Sequence, residues 1–397
     1  MPKTGKANWF EKHSKKTLFL FVALILLAMI YGAEKLLEYK DKGVGFNFAL
    51  PHRAIRLREY RPGMCVDYYP VGDVKASDSL VLRHYPLRID AAGFILPGRK
   101  YAKPDITLAF LGASTTECRY VQEEKRFPYL TGVLLEKELG IKINILNAAR
   151  SGNQSLHSLD ILLNKVLPFN PQIAVMMHNL NDLTILLYEQ SYWRKNSARS
   201  VIIDINKEIT SNYFKIVRDK WIPHLAAALR HFDQKMRALL KPKGKSKSRA
   251  EPDEFARIRG KSIKIAPDPL LAQFNMNLQT FINICRARQV TPVLMTMASR
   301  FKENPDKIIA RNFPPPGGAG VDYRRFKKLF DLFNAAIRQK AQENQVVLID
   351  LAKKIPPEKE YLYDVVHYNG HGATKAAQVV SAGLKPLIVQ ILARKQP

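Results

Sequence analysis

Five short, nearly continuous apolar runs constrain the fold of this 397-residue chain more than any other feature of its sequence. Runs of this length, rich in β-branched residues, are typical of strands that are covered on both faces. The five lie at residues 105–111, 141–147, 172–178, 290–297 and 345–350. Hydrophobic residues make up 46% of the chain, which is enough for a core that covers such strands.

Apolar residues at helical spacing fill the intervals between these runs. We predict helices at 127–139, 155–166, 269–288 and 322–343, with a last helix over about 370–394. Strands that alternate with helices along a chain usually form parallel sheets. We therefore predict an α/β fold over residues 105–397, a three-layer α/β/α sandwich with a five-stranded parallel sheet.

A serine follows the first predicted strand at the carboxyl edge of the sheet, where open α/β sheets bind ligands. The strand stops at Gly112, and Ser114 comes two residues later. A serine hydroxyl is a weak nucleophile that needs a base, and the base needs an orienting group. Asp364 and His367 follow the fifth strand and would lie at the same edge. We predict Ser114 as the nucleophile, His367 as its base and Asp364 as the group that fixes the imidazole.

The tetrahedral intermediate of acyl transfer also needs hydrogen-bond donors aimed at its oxyanion. The backbone N–H of Ser114 is one candidate donor. Gly152, after the second strand, offers an unobstructed N–H, and Asn181, after the third, offers a side-chain amide. Four strand ends thus each supply one element to a single edge, which is a stronger indication than any one of them.

Each of these residues also has a structural alternative. Ser114, Asp364 and Asn181 could each cap a helix, since Ser, Asp and Asn are preferred N-caps. Gly152 could be a simple turn glycine, a role that is compatible with donation. The order of all four elements along the chain favours the catalytic interpretation.

Other polar residues near these positions give weaker indications. His367 and His371 are four residues apart, but glycines interrupt the turn between them and no Glu follows His367, so we predict no metal and no other cofactor. Arg119 and Arg150 flank the predicted site and either bind an anionic substrate or serve structurally. Three cysteines are too few for a disulfide framework, and a single bridge stays open.

On these motifs the chain resembles the SGNH hydrolase superfamily, also called GDSL-like lipases and acylhydrolases. The four blocks of that family correspond here to Gly112-Ala-Ser114-Thr115, Gly152, Asn179-Leu-Asn181-Asp182 and Asp364-x-x-His367. The resemblance covers roughly residues 105–390, and Gly372 matches the family's glycine after the final histidine. It implies a flavodoxin-like sandwich and ester hydrolysis or acyl transfer without a metal.

Two positions depart from the family pattern. Ala113 stands where the family often has Asp, which affects local hydrogen bonding rather than the nucleophile. Asn179 replaces the glycine of the third block, so the loop that holds Asn181 is expected to differ in shape.

The N-terminal part of the chain has the features of a membrane anchor. Five lysines and one glutamate occur in residues 1–16, and an uncharged apolar run follows at 17–33. This run is close to the roughly 20 residues of a membrane span, and the flanking lysines favour a cytoplasmic N-terminus. A cleaved signal peptide and a buried core helix are the alternatives. Residues 34–104 would form a juxtamembrane region to which we assign no separate function.

The formal net charge of +28 indicates an acidic partner, with a generally basic, soluble surface as the alternative. Residues 191–266 form an insertion with nineteen lysines and arginines against seven aspartates and glutamates, and 241–249 would be a flexible basic loop. Nucleic acid is disfavoured, because a domain outside the membrane rarely meets it and no aromatic-interleaved binding motif occurs. An anionic membrane surface or an acidic polysaccharide is the expected partner.

Together these features predict a membrane-anchored serine esterase or O-acyltransferase whose catalytic domain is periplasmic or extracellular. Its substrate would be an acyl ester, such as an O-acetyl group on a cell-envelope polysaccharide or lipid. The alternative is a non-catalytic SGNH-like envelope protein that binds acidic glycans or lipids.

Overall fold

A computed structural model of the chain describes residues 13–41, 53–70, 77–193, 199–204, 266–312 and 321–394. Most of the predicted insertion, including the basic loop 241–249, lies outside these residues. The chain divides into two compact units, one with residues 1–53 and 204–226, the other with residues 54–203 and 227–397.

The strands and helices have the following bounds in chain order. The strands are β1 (Arg53–Ile55), β2 (Cys65–Tyr68), β3 (Tyr85–Arg88), β4 (Ile106–Gly112), β5 (Ile143–Asn147), β6 (Ile173–Met177), β7 (Ile202–Asp204), β8 (Thr291–Met295) and β9 (Val347–Ile349). The helices are α1 (Ser14–Asp41), α2 (Ser114–Glu117), α3 (Phe127–Leu139), α4 (Ser155–Ile161), α5 (Leu180–Glu189), α6 (Pro267–Ala287), α7 (Lys307–Asn312), α8 (Tyr323–Glu343), α9 (Leu351–Lys354) and α10 (Gly370–Ala393). A π-helical turn, Leu162–Val166, continues α4.

The central sheet has the order β5-β4-β6-β8-β9, and all its strand pairs are parallel. Every residue of β4, β5 and β6 is buried, as the apolar runs predict. The chain passes from β4 to β5 on one side and then returns to β6 on the other. This is the strand order of flavodoxin-like folds, in which ligands bind at the reversal point, here at the carboxyl ends of β4, β5 and β6.

The unit with residues 54–203 and 227–397 contains the central sheet and is called the sheet unit below. Its helices form two groups. The first and last long helices, α3 and α10, pack against each other, while α4, α5, α6 and α8 pack together. The α/β/α fold with a five-stranded parallel sheet is therefore confirmed. The predicted strands and long helices are all present, with bounds that differ from the predictions by only a few residues at either end.

The segment before the sheet is more ordered than its sequence indicates. Strands β2 and β3 pair antiparallel, and the N–H of Ile95 donates to the carbonyl of Asn147 at the end of β5 (3.0 Å). Farther along, Asp78 forms a bidentate ion pair with Arg300 (2.6 and 2.8 Å), whose side chain is 1% exposed. The described part of this segment, residues 54–70 and 77–104, therefore contacts both the end of β5 and the residues that follow β8.

Among the residues that the structure describes, two helices are long and apolar enough to cross a membrane, by length and composition only. The first is Lys15–Ala33 within α1, whose apolar side chains are exposed, as expected for a surface that needs lipid or another apolar partner. The second is α10, which the sequence analysis did not count as a membrane candidate. One face of α10 is buried in the sheet unit, so it also serves as a core helix.

The start of α10 depends on a close approach that only glycine permits. A Cβ on Gly372 would lie 1.9 Å from the carbonyl oxygen of Tyr361, whereas a Cβ on Gly370 would meet no atom within 4 Å. The carbonyl is backbone, so it cannot move aside without shifting the loop that carries His367.

We therefore expect Gly372→Ala to lower the free energy of unfolding by roughly 1–3 kcal/mol, the usual cost of overpacking. Gly370→Ala is the matched control in the same helical turn and should change it by about 0.5 kcal/mol or less. Urea unfolding of both variants measures the difference. Equal midpoints for the two variants would contradict the proposed steric cause.

Candidate active site

Ser114 lies at a sharp strand-to-helix turn at the carboxyl end of β4. A Cβ on Gly112 would lie 2.2 Å from Thr116 Oγ1, so the turn needs glycine there. Ala113 occupies the N-cap position of α2, and Ser114 is the first helical residue. Its side chain is therefore not a cap, and its N–H, in the first turn, has no acceptor within the helix.

Ser114, His367 and Asp364 form a continuous hydrogen-bonded chain. His367 Nε2 lies 2.7 Å from Ser114 Oγ, and His367 Nδ1 lies 2.7 Å from Asp364 Oδ2. The other carboxylate oxygen, Asp364 Oδ1, accepts the backbone N–H groups of Val366 (3.0 Å) and His367 (2.8 Å). The structure thus brings together the three residues that the sequence analysis selected, with the carboxylate held in a local turn.

The contacts among these three residues favour an ionised Asp364 and raise the pKa of His367. Burial raises the pKa of Asp364, but His367 and the two backbone donors lower it by more, so it lies below the ordinary 3.8. Burial lowers the pKa of His367, but the Asp364 carboxylate raises it by more, to above the ordinary 6.5. The His367 side chain is still 26% exposed, so a substrate can reach it.

The loop that carries His367 is held from two sides. The ring of Tyr363 stacks on His367, with centroids 5.6 Å apart. The buried Arg300 donates its backbone N–H to the carbonyl of Val365 (2.7 Å) and a guanidinium N–H to the carbonyl of Leu362 (3.3 Å). These contacts limit the positions that the imidazole can adopt.

The structure places the other two predicted donors beside each other. Gly152 has a positive φ of 77°, a conformation that favours glycine. Asn181 Nδ2 donates to the carbonyl of Asn153, the next residue in the same loop (2.9 Å). Gly152 and Asn181 are both partly exposed, whereas Asn153 between them is buried.

Asn179, which replaces the family's glycine, adopts a conformation that does not require glycine. Asn179 has a φ of −166°, which is extended backbone that any residue adopts. It is the N-cap residue of α5, and its side chain donates to the carbonyl of Phe330 (3.0 Å). Asn181 therefore lies in the first turn of α5 rather than at its cap.

The sequence analysis missed Glu117, a buried carboxylate beside Ser114. Its side chain is 0% exposed, and its oxygens accept the N–H of Ser151 and Arg119 Nε (2.9 Å). Glu117 thereby joins the helix of Ser114 to the loop of Gly152. The only signal in the sequence was its position three residues after Ser114, which is also the spacing of a capping box.

Arg119 and Arg150 both contact Tyr60, a residue of the segment before the sheet. Arg119 Nη2 donates to Tyr60 Oη (3.2 Å), and the Arg150 guanidinium lies 5.4 Å from the centre of the Tyr60 ring. Arg150 Nη1 also donates to the carbonyl of Glu59 (2.8 Å). Both arginines therefore make structural contacts beside the site, and a substrate contact stays a prediction.

A second serine–histidine–aspartate set lies in the core. Ser158 Oγ is 2.7 Å from His178 Nε2, and His178 Nδ1 is 3.4 Å from Asp182 Oδ2. All three residues are buried, so no substrate reaches the Ser158 hydroxyl. The two sets contain the same residue types and differ in whether a substrate can reach the serine hydroxyl.

The structure also gives the surroundings of the helix-cap candidate, of His371 and of the cysteines. Asn369, not Asp364, caps α10, because its side chain accepts the N–H of Gly372 (2.9 Å). His371 stacks on Tyr361, with centroids 4.8 Å apart. All three cysteines are free, and no group of three possible metal ligands occurs among the described residues.

Comparison with known families identifies the group to which the chain belongs. The profile of the GDSL-like lipase/acylhydrolase family matches residues 110–375, about two thirds of the chain. The chain belongs to this family. GDSL-like lipases and acylhydrolases act on ester bonds, so the protein is a hydrolase of that class. No curated protein matches the chain.

Solved structures of similar fold include members of the GDSL-like group. A protein from Parabacteroides merdae described as a GDSL-like lipase is 14% identical, with a TM-score of 0.42, 73% of this chain covered and 100% of the other. A GDSL-like lipase from Bacteroides thetaiotaomicron is 13% identical (TM-score 0.36, 72% and 88% covered). An acetylxylan esterase from Geobacillus stearothermophilus is also 13% identical (TM-score 0.36, 72% and 94% covered).

The geometry predicts the titration of His367. Its imidazole should titrate above 6.5, and Asp364→Asn should lower its pKa, because burial is then no longer opposed by a carboxylate. Histidine-selective NMR of the full-length protein, assigned with a His367→Gln variant, measures both values. Asp67→Asn, which removes a carboxylate 2.6 Å from His84 instead, should leave the His367 titration unchanged. A wild-type His367 that titrates below 6.5 would contradict the inferred coupling.

Proposed function

We propose that Ser114, His367 and Asp364 are the catalytic triad of this GDSL-like hydrolase. The observation that supports the proposal is the pair of 2.7 Å contacts that link the serine hydroxyl to the imidazole and the imidazole to the carboxylate. The partial exposure of Ser114 and His367 also supports it.

In the first half of the reaction, His367 Nε2 takes the Ser114 proton while Oγ attacks the ester carbonyl. The tetrahedral intermediate carries its negative charge on the former carbonyl oxygen, toward which the N–H groups of Ser114 and Gly152 and the amide of Asn181 would donate. The intermediate then collapses: the bond to the alcohol breaks, and the imidazolium gives its proton to the leaving oxygen. Asp364 stabilises the imidazolium throughout.

In the second half, a hydroxyl group releases the acyl group from Ser114. His367 takes the proton of the incoming group, whose oxygen attacks the acyl carbonyl, and then returns a proton to Ser114 Oγ as the acyl–serine bond breaks. Water as the incoming group completes hydrolysis. The hydroxyl of a second acceptor would complete acyl transfer.

The substrate we propose is an acyl ester on a cell-envelope polysaccharide or lipid, with O-acetyl esters the first to test. The net charge of +28 supports an anionic substrate or surface. The apolar helix Lys15–Ala33 and the lysines before it support a single membrane anchor with a cytoplasmic N-terminus. The catalytic domain would then lie on the opposite side of the membrane.

The triad makes a direct prediction for the reactive serine. A fluorophosphonate probe should label the wild-type protein at Ser114 with one probe per molecule, and Ser114→Ala should abolish labelling. The same variant should lower kcat on short p-nitrophenyl esters by roughly 10⁴-fold or more, because the nucleophile is lost. Intact-protein mass spectrometry and ester hydrolysis provide the measurements.

Ser158→Ala is the matched control for this experiment. It removes the serine of the buried set, so the folded protein should label as the wild type does. Undiminished hydrolysis by Ser114→Ala would exclude the proposed triad. Hydrolysis that is absent from the outset, together with full labelling of Ser114, would instead indicate transfer to an acceptor other than water.

The proposed topology predicts the activity of two alternative reporters, each fused to the C-terminal end of the chain. Alkaline phosphatase after residue 397 should be active in intact bacterial cells, because it folds only outside the cytoplasm. Green fluorescent protein at the same position should stay dark after Sec export. A bright fluorescent fusion with inactive phosphatase would place the domain in the cytoplasm and contradict the proposed anchor.

A further inference from the structure

We infer that Arg58 positions the oxyanion hole by fixing and polarising the peptide group that presents the N–H of Gly152. Arg58 lies in the segment before the sheet, outside the residues that match the family profile. The inference rests on the proposed function, because that function makes Gly152 an oxyanion donor.

The geometry follows from the planarity of one peptide bond. Arg58 Nη1 donates to the carbonyl oxygen of Ser151 (2.7 Å). That carbonyl belongs to the same peptide group as the N–H of Gly152, and in a trans peptide the two point in opposite directions. A guanidinium that holds the oxygen on one side therefore directs the N–H to the other.

The glycine at this position permits the close approach of Arg58. A Cβ on Gly152 would lie 2.8 Å from Arg58 Nη2, and the positive φ of 77° already disfavours any other residue. Glycine thus provides both the backbone conformation and the space that the guanidinium occupies.

The charge of Arg58 also strengthens the donor. A cation bound to a carbonyl oxygen draws electron density from the amide, so the N–H of the same group becomes a better hydrogen-bond donor. Charge-assisted bonds of this kind are roughly twice as strong as neutral ones. The effect reaches a developing oxyanion through a peptide that does not need to reorient.

Arg58 is linked to the second proposed donor as well. Arg58 Nη1 donates to Asn153 Oδ1 (2.7 Å), and Asn153 Nδ2 donates to the backbone carbonyl of Arg58 (3.3 Å). The backbone carbonyl of the same buried asparagine accepts Asn181 Nδ2. One arginine therefore sets the orientation of both the backbone donor and the side-chain donor.

The opposite side of the loop is held by an anion. Glu117 accepts the N–H of Ser151, which belongs to the preceding peptide group. The two peptide groups around Ser151 are thus fixed by a carboxylate on one side and a guanidinium on the other. The loop cannot rotate either group without breaking a charge-assisted hydrogen bond.

This assignment predicts a loss in kcat rather than in KM. Contacts to the oxyanion strengthen only in the transition state, so a misdirected donor slows the chemistry without weakening substrate binding. Removing a whole oxyanion donor costs roughly 10²–10³-fold in kcat. Arg58→Gln leaves the donor present but free to rotate, so we expect a loss of roughly 10–100-fold with KM within about twofold.

The experiment uses the full-length protein in detergent, with Arg56→Gln as the matched control. Arg56 lies two residues away in the same segment, and its guanidinium donates to the carbonyl of Ser200 (3.0 Å) rather than to the Gly152 loop. Arg56→Gln should leave kcat within about twofold of the wild type. Arg58→Lys keeps a charged donor without the planar fork, so its kcat should fall between wild type and Arg58→Gln.

A second measurement separates positioning from folding. The phosphoryl oxygen of a fluorophosphonate adduct occupies the oxyanion position, so Arg58→Gln should still label at Ser114 with one probe per molecule, but at a rate lowered as much as kcat. A purely structural role would reduce the fraction that labels and leave the rate of that fraction unchanged, which would overturn the inference. An unchanged labelling rate at full stoichiometry would overturn it too.

These outcomes are distinct from failure of the proposed function. A wild-type protein that is not labelled at Ser114 would exclude the triad, and with it the role given to Arg58. If Arg58→Gln does not fold, Arg58→Lys decides the question, because a labelling rate equal to that of the wild type would overturn the inference.

Discussion

The parallel pairing of β4 with β5 on one side and β6 on the other is the constraint on which the site depends. It places the carboxyl ends of three neighbouring strands together, so that the residues that follow them lie at one edge of the sheet. Ser114, Gly152 and Asn181 come from these three ends. The segment after β9 carries His367 to the same edge. His367 Nε2 therefore lies 2.7 Å from Ser114 Oγ, although the two residues are 253 positions apart in the sequence.

The sheet, and the three residues that form the hydrogen-bonded set at its edge, could be predicted from the sequence for related physical reasons. A strand buried on both faces must be apolar along its whole length, which leaves a signal that few other elements share. Ser114 and His367 could be selected because the predicted acyl transfer uses few residue types. Ser114 lies directly after β4, whereas His367 follows β9 only after α9. Helix α10 was predicted as well, although its length and composition also suit a membrane span.

The segment before the sheet could not be interpreted in the same way. Its contacts to the site are made by single polar side chains, such as Arg58 to Ser151 across 93 residues and Asp78 to Arg300 across 222. Hydrogen bonds between distant side chains impose no periodicity on the sequence. Glu117 was missed for a different reason, since a carboxylate three residues after a serine occurs at many helix starts.

The paired charges around the site have a second consequence, which concerns how parts of the protein can be exchanged. Residues 110–375 match the family profile and include the proposed triad and all three proposed donors. Arg58 and Asp78, which hold the loops of Gly152 and His367, lie outside that range. A chimera that joined the profile-matched region to the leading segment of another hydrolase would retain every proposed catalytic residue. It would also leave Arg300, 1% exposed, without one of its two carboxylate partners. A functional transfer of this site would therefore need the leading segment together with the profile-matched region.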